Sequence, residues 1–317
     1  MKERLTEILD RFKGKKILVI GDIMLDKYIF GKVDRISPEA PVQVVEVIKE
    51  NYLPGGAANV ASNVSALGGT VVLVGIIGND NSGKILIEEL KKRGIDIEGI
   101  FRDSEKPTIQ KVRVLGQKQQ LLRIDYEKKE SVKEEIENKI TNFLRKKKEE
   151  IAAVIISDYA KGIVTEGIME NLKTIFSDKT IIADPKPKNF DFYKRVSLVT
   201  PNVKEAKEMT NKENIEEMGK ELIKKLNSSV LITRGEEGMS LFELNGSTRH
   251  IPTKAKEVYD VSGAGDTVVA TLALALASNA TIEEAAILAN HAAGITVGKI
   301  GTSTVTIKEI KRSIENE

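Results

Sequence analysis

The chain has 317 residues, of which 49 are basic and 47 acidic, so its formal net charge is only +2. A nearly balanced charge produces no extended field of one sign, which excludes nucleic acid and anionic membranes as expected partners. The chain contains no cysteine, which excludes disulfide bonds and thiolate metal sites. At this length we expect one large α/β domain with a small appendage, spanning residues 1–317.

The first twelve residues alternate charged and apolar side chains and predict a short amphipathic helix. They lack the apolar core of a signal peptide. The longest apolar run, residues 268–277, is about half the length needed to cross a bilayer. We therefore expect a cytoplasmic protein.

Residues 15–23 predict a buried strand that ends at Gly21 and Asp22. Further buried strands, each followed by a helical pattern, are predicted to end at Ile77, Ser157, Ala183, Thr200 and Thr233. This alternation predicts a mainly parallel sheet with helices on both faces. Ligands of such sheets bind beyond the carboxyl ends of the strands, which makes Asp22, with Asp26 after it, a candidate substrate ligand. Alternatively, Asp22 only stabilises a turn.

Two stretches stand outside this alternation, at about residues 28–50 and 105–126. They are rich in β-branched residues and predict a small second sheet.

A glycine pair, Gly55 and Gly56, precedes Asn59 at the start of a predicted helix. The glycines allow a substrate to approach the backbone closely, and the amide of Asn59 can both donate to and accept from its hydroxyl groups. Alternatively, Asn59 hydrogen-bonds the backbone at the helix start.

Charged residues follow two of the later strands. Lys161 comes after the first of them, where it either neutralises a substrate or is an ordinary surface lysine. In the second, Pro185 fixes a turn and directs Asp184 and Lys186 outward. Lys186 is suited to a phosphoryl oxygen because its ammonium is a mobile point charge.

The pair Asn202 and Glu205 begins another predicted helix and has the spacing of a capping box. Both side chains lie on one helical face, so a ligand role and a capping role are compatible.

A helix without charges is predicted from about Ala264, after a turn of small residues. Unpaired N–H groups and the positive end of the helix dipole form an anion site there, and Gly263 and Gly265 let a phosphate come close. Asp266 would repel that phosphate unless it had its own task, such as accepting the proton of an attacking hydroxyl. Alternatively, Asp266 is a favourable acid in the first helical turn.

Two motifs in this order resemble the ribokinase family of sugar kinases, also called the PfkB family: Gly55-Gly-Ala-Ala-Asn59-Val-Ala61 and Asp260-x-x-Gly263-Ala264-Gly265-Asp266. The resemblance covers essentially the whole chain and implies a ribokinase-like fold. It implies that Asp266 is the catalytic base and that the backbone of Gly263, Ala264 and Gly265 forms the anion hole. It further implies that Asp22 binds sugar hydroxyls and that Asn202 and Glu205 position Mg²⁺, largely through water.

The same resemblance implies ATP as the phosphoryl donor. Thr233 and Gly235 would contact its phosphates, and the stretch from Asn290 to Thr302 would border the adenine and a loop for a monovalent cation, K⁺. The small sheet would be a lid over the sugar and the contact of a homodimer.

Three segments resemble more particularly the heptose-phosphate kinase branch: Gly21–Asp26, Ser37–Val42 and Leu121–Asp125. This branch phosphorylates C1 of D-glycero-D-manno-heptose 7-phosphate on the way to ADP-heptose. Gln43 departs from it, since a second proline is expected there. Another sugar kinase of the family, acting on fructose, fructose 1-phosphate or ribose, and a non-catalytic sugar sensor are the alternatives. The cations expected to meet a second substrate phosphate are Arg123, Lys161 and Lys186.

Overall fold

The computed structural model describes residues 1–117, 119–255, 258–299 and 303–316. These residues form a nine-stranded sheet and a four-stranded sheet. The strands are β1 Lys16–Gly21, β2 Ile23–Ile36, β3 Gln43–Gly56, β4 Thr70–Gly78, β5 Ile100–Asp103, β6 Gln110–Gly116, β7 Gln119–Tyr126, β8 Ala153–Ser157, β9 Thr180–Asp184, β10 Leu198–Val199, β11 Ser229–Thr233, β12 Met239–Phe242 and β13 Thr248–Ile251. The helices are α1 Lys2–Asp10, α2 Ala57–Ala66, α3 Asn81–Lys92, α4 Glu134–Lys147, α5 Glu166–Ile175, α6 Val203–Thr210, α7 Ile215–Leu226, α8 Ala264–Ala277, α9 Ile282–Val297 and α10 Ile307–Glu315.

The large sheet has the order β13-β12-β11-β10-β9-β8-β1-β4-β5. Its strands from β11 to β5 pair in parallel, and β12 and β13 add an antiparallel edge. Successive residues of β1 enter opposite cores, because Ile17 and Val19 pack on one side of the sheet while Leu18 and Ile20 pack on the other. Burial of both faces explains why these strands appear in the sequence as continuous apolar runs.

The four-stranded sheet, which we call the lid sheet, has the order β3-β2-β6-β7. The β2–β6 pair is parallel and the other two pairs are antiparallel. Its junctions with the large sheet are short, because only Asp22 separates β1 from β2, and β3 ends at Gly56 immediately before α2. The predicted fold class, an α/β fold with a mainly parallel sheet and a small second sheet, is confirmed.

Helix α8 begins at Ala264, as the sequence predicts, and is buried over most of its length. Gly263 precedes it with φ of 80°, a left-handed conformation that favours glycine. The helix packs on α2, α9, β8 and β9. Its first turn therefore lies beside the carboxyl ends of the parallel strands, where the sequence places the candidate ligands.

Within the described ranges, every helix is too short or too polar to cross a lipid bilayer.

Candidate active site

Two cavities meet at the start of α8. The inner cavity has a volume of about 170 Å³, the outer cavity about 480 Å³, and they share Thr233, Gly265 and Val268 in their walls. Most of the predicted site residues line them. The inner cavity contains Asp184, Lys186, Asn202, Glu205, Thr233, Gly263, Gly265 and Asp266, and the outer one contains Thr233, Gly235, Ala264, Gly265 and Asn290.

Asp266 is a buried carboxylate of the inner cavity, and both of its oxygens accept hydrogen bonds. Asn59 Nδ2 donates to Oδ2 at 2.6 Å, and the Tyr159 hydroxyl donates to Oδ1 at 2.9 Å. Burial raises the pKa of Asp266 from 3.8 to about 6, although the two hydrogen bonds act in the opposite direction. A carboxylate that titrates near neutrality and is fixed in orientation is suited to general-base chemistry.

Tyr159 donates to Asp266 from the loop after β8. Burial, and then the charge of Asp266, raise the pKa of Tyr159 well above its usual value, so its hydroxyl stays protonated and donates. A substrate-binding role is predicted for Asn59, but in this structure its amide N–H donates a hydrogen bond to Asp266. Both residues orient the candidate base.

The backbone at the start of α8 faces the cavities with few partners of its own. The N–H of Ala264 makes a 3.3 Å turn bond to the Val261 carbonyl, whereas no acceptor within the described ranges pairs with the N–H groups of Gly265 and Asp266. A Cβ built on Gly265 would meet nothing within 4 Å, because this residue borders open space. Two unpaired N–H groups at a helix N-terminus form a site for a phosphate.

Lys186, Glu205 and Asn202 form a connected group opposite this helix start. The Lys186 ammonium donates to Glu205 Oε1, and Glu205 Oε2 accepts from the Asn202 backbone N–H at 3.0 Å. The Asn202 side chain in turn accepts from the Glu205 N–H at 2.9 Å, which completes the capping box. Burial opposes the charge of Lys186, but the hydrogen bond to Glu205 raises its pKa overall, so it remains a cation.

This group fits a magnesium ion held through water. Both carboxylate oxygens of Glu205 already accept protein hydrogen bonds, so they are better placed to orient metal-bound water than to enter the coordination shell. Asp184 lies in the same wall, and burial raises its pKa well above the usual value.

The outer cavity is lined largely by small and apolar side chains, such as Ala255, Val261 and Ala293. Gly235 adopts a φ of 57° at its edge. The amide of Asn290 donates to the Pro252 carbonyl at 2.6 Å and thus holds the cavity wall. An apolar cavity of this size that opens onto an anion site fits a nucleoside with its phosphates directed inward. In the predicted cation loop, residues 300–302 lie outside the described residues.

Six predicted site residues do not line these cavities: Gly55, Gly56, Asn59, Asp22, Lys161 and Arg123. Asp22 is buried and accepts three backbone N–H groups, from Tyr159 at 2.9 Å, Lys161 at 3.0 Å and Ile163 at 3.3 Å. Asp22 thus fixes the loop that carries Tyr159. The two basic residues are paired with acids outside the cavities, since Lys161 binds Glu127 and Arg123 binds Asp125. Glu127, in the segment that follows β7, therefore binds the loop that carries Tyr159.

Asp26, which the sequence analysis mentions only beside Asp22, is the better placed of the two to meet a substrate. It is 4% exposed and binds Arg113 at 2.6 Å. Gly55 is required beside it, because a Cβ there would lie 2.4 Å from Asp26 Oδ2. Gly56 has a φ of 57°, and its Cβ would lie 2.4 Å from the Asp22 carbonyl oxygen.

Sequence reasoning did not find Tyr159, Arg113 or Lys111. Alternation in β6 carries a usable signal, because Lys111 and Arg113 share one face while the buried Val112 lies on the other.

The loop-fixing role of Asp22 leads to a testable expectation. In Asp22→Ala the N–H groups of Tyr159 and Lys161 lose a charged acceptor worth about 1.5–3 kcal/mol, so their hydrogen exchange should accelerate roughly ten- to hundredfold. Exchange measured by mass spectrometry on a peptide spanning 158–164 tests this. Asp26→Ala is the matched control and should leave that peptide unchanged; equal protection in Asp22→Ala would refute the role.

Comparison with known proteins identifies the class. A family model described as the pfkB family carbohydrate kinase matches residues 14–309, and the chain belongs to this family. It is an ATP-dependent carbohydrate kinase.

Two relatives, both bifunctional proteins, are similar to this chain over most of its length. The chain is 43% identical over 301 residues to the bifunctional protein HldE of Geobacter metallireducens, and this match covers 92% of this chain and 61% of that protein. It is 41% identical over 324 residues to the bifunctional protein HldE of Trichlorobacter lovleyi, covering 100% of this chain and 66% of that protein. The chain thus spans about three fifths to two thirds of the length of these relatives.

Solved structures share the fold. Arabidopsis thaliana ribokinase complexed with ribose and ATP has a TM-score of 0.73 at 20% identity and covers 96% of this chain and 99% of its own. Phosphofructokinase-2 from Escherichia coli in complex with potassium has a TM-score of 0.77 at 19% identity, with coverage of 96% and 99%. At this identity the likeness supports the ribokinase-like fold.

Proposed function

We propose that the chain transfers the γ-phosphoryl group of ATP to the C1 hydroxyl of D-glycero-β-D-manno-heptose 7-phosphate, a step of ADP-heptose biosynthesis. The observation that carries this assignment is the identity of 41–43% with HldE proteins over nearly the whole chain. Two segments that resemble the heptose-phosphate kinase branch, Gly21–Asp26 and Leu121–Asp125, support the same assignment.

In the proposed reaction the acceptor lies between the lid sheet and Asp266. Asp266 takes the proton of the C1 hydroxyl while the C1 oxygen bonds to the γ-phosphorus and the bond from that phosphorus to the ADP oxygen breaks. The N–H groups of Gly265 and Asp266 and the ammonium of Lys186 stabilise the charge on the transferring group. Asn59 and Tyr159 keep Asp266 aligned, and Asp26 is placed to accept from a sugar hydroxyl.

ATP would bind with its base in the outer cavity, near Asn290, and its phosphates toward Thr233 and Gly235. Magnesium, held through water by Asn202 and Glu205, would neutralise phosphate charge. We include K⁺ as an activating monovalent cation; equal rates with K⁺ and with tetramethylammonium chloride would remove it.

Burial raises the pKa of both Asp266 and Asp22 to about 6, so a variant that alters the pKa of Asp266 alone is needed to tell which of the two limits activity at low pH. A base must be ionised, so kcat/KM should fall about tenfold per pH unit below about pH 6. Tyr159→Phe removes a hydrogen bond that lowers the pKa of Asp266 but keeps the backbone N–H that serves Asp22. Asp26 and Lys111 also face Asp266, and both remain.

The acid limb should therefore move to higher pH in Tyr159→Phe, and the variant should approach the wild type at pH 8. Tyr126→Phe, on the exposed strand β7, is the control and should leave the profile in place. An unmoved limb in Tyr159→Phe would show that another group titrates.

A substrate panel tests the function as a whole. Mg-ATP-dependent ADP release is measured with D-glycero-D-manno-heptose 7-phosphate, fructose, fructose 1-phosphate, fructose 6-phosphate and ribose. A preference of at least tenfold in kcat/KM for the heptose phosphate supports the proposal. The second candidate is a fructokinase, 1-phosphofructokinase or ribokinase activity, favoured by the fold shared with ribokinase and phosphofructokinase-2; preference for one of those sugars would establish it.

We further propose that the protein acts in the cytoplasm as a homodimer joined through the lid sheet. Large apolar side chains are exposed on and around this sheet, which fits a protein contact: Ile36, Val47, Ile48, Leu122, Ile124 and Tyr126. Light scattering should give twice the monomer mass, and Leu122→Lys with Ile124→Lys should halve it. A monomeric wild type would refute the dimer.

A further inference from the structure

Three cations and two acids lie together on the site-facing side of the lid sheet, on strands β2, β6 and β7. Asp26 on β2, Lys111 on β6 and Asp125 on β7 are register partners and share a face with Arg113 and Arg123. Arg113 binds Asp26 at 2.6 Å, and Arg123 binds Asp125 at 2.9 Å. Lys111 is the remaining cation.

Lys111 has no acidic partner in the described part of the chain, because no carboxylate oxygen of the described residues lies within 4.0 Å of its ammonium group. Its nitrogen instead lies 5.1 Å from the ring centroid of Tyr159, whose hydroxyl binds Asp266. The side chain is half-buried, and burial lowers its pKa although Asp26 opposes this. A cation partly withdrawn from water without a counter-ion is poorly compensated until an anion arrives.

Each of the three cations that the sequence analysis expects to meet a second substrate phosphate is paired with an acidic side chain. Arg123 pairs with Asp125, Lys161 with Glu127 and Lys186 with Glu205. Lys186 also belongs to the wall shared with Asn202, on the side of the ATP phosphates. Lys111 instead contacts the ring of Tyr159 from the lid sheet, on the side of the acceptor.

We propose that the Lys111 ammonium binds the phosphate that the acceptor sugar already carries, and so makes the site selective for a sugar phosphate over the unphosphorylated sugar. This inference rests on the proposed function. The ammonium has three donors and no hydrogen-bond acceptor recorded in the described residues, so all three are available to phosphate oxygens. A bound phosphate supplies the negative charge that this group of five side chains lacks.

The test compares Lys111→Met, which keeps the length of the side chain, with the wild type on two acceptors. These are D-glycero-D-manno-heptose 7-phosphate and the same heptose without phosphate. Loss of one charged hydrogen-bond partner should lower kcat/KM for the heptose phosphate roughly ten- to hundredfold, mainly through KM. With the unphosphorylated heptose the variant should remain within about threefold of the wild type.

Lys49→Met, an exposed lysine of β3, is the matched control and should behave as the wild type with both acceptors. If Lys111→Met loses activity equally with both, or retains the full preference for the phosphate, the assignment of Lys111 is overturned while the proposed function stands. If the wild type itself shows no preference for the heptose phosphate, both are overturned.

Discussion

Asp266→Asn should lose on the order of two to four decades of turnover, the range associated with a positioned general base. The substitution keeps the shape of the side chain but removes its capacity to accept the proton of the acceptor hydroxyl. Binding should survive, because the outer cavity and the N–H groups of Gly265 and Asp266 are unaltered. Steady-state kinetics for turnover and calorimetry for the affinity of an ATP analogue measure the two effects separately.

Asp178→Asn is a suitable control for Asp266→Asn, since it makes the same change at an exposed position. The Asp266 variant must also be shown to fold, for which circular dichroism and a melting curve suffice. Turnover within a few-fold of the wild type would remove Asp266 as the base and would favour its alternative role as a first-turn acid of α8.

Lys186→Met should reduce kcat roughly 10²- to 10³-fold, the loss associated with removal of one donor to a transition-state charge. Only one of the three ammonium donors is used by Glu205, so the others can reach a transferring phosphoryl group in the inner cavity. The effect should fall on kcat more than on the KM of the sugar, because charge on the transferring group grows in the transition state. Single-turnover rates at saturating substrates measure this directly.

Lys188→Met tests whether loss of any lysine from this turn has the same effect. Lys188 is two positions further along and exposed. Lys186→Arg retains the charge in a bulkier, planar group and should recover part of the rate. Unchanged kcat in Lys186→Met would assign the lysine to the stability of the capping box of Asn202 and Glu205 instead.

The positions of the buried strands along the chain and the start of α8 were predictable because both depend on local patterns. Continuous apolar runs reveal strands buried on both faces, and the glycines at 263 and 265 mark the helix start. The capping box was also predictable, since its two residues lie three apart.

The partners of the site residues were not predictable in the same way. Asp22 has the strand-end position of a ligand, but its carboxylate is satisfied by the folding back of the loop at 159–163, about 140 residues away in the chain. Pairing of Lys161 with Glu127, and the lack of an acidic partner for Lys111 among the described residues, depend on how the lid sheet packs. Spacing within a segment contains no information on such contacts.

The two hydrogen bonds that hold Asp266 join residues separated by 207 and 107 positions. A chain with α2 or the loop after β8 undocked therefore has the aspartate without its alignment. Catalytic competence should therefore require α2, the loop after β8 and α8 to be docked together, so that molecules lacking either contact turn over ATP slowly.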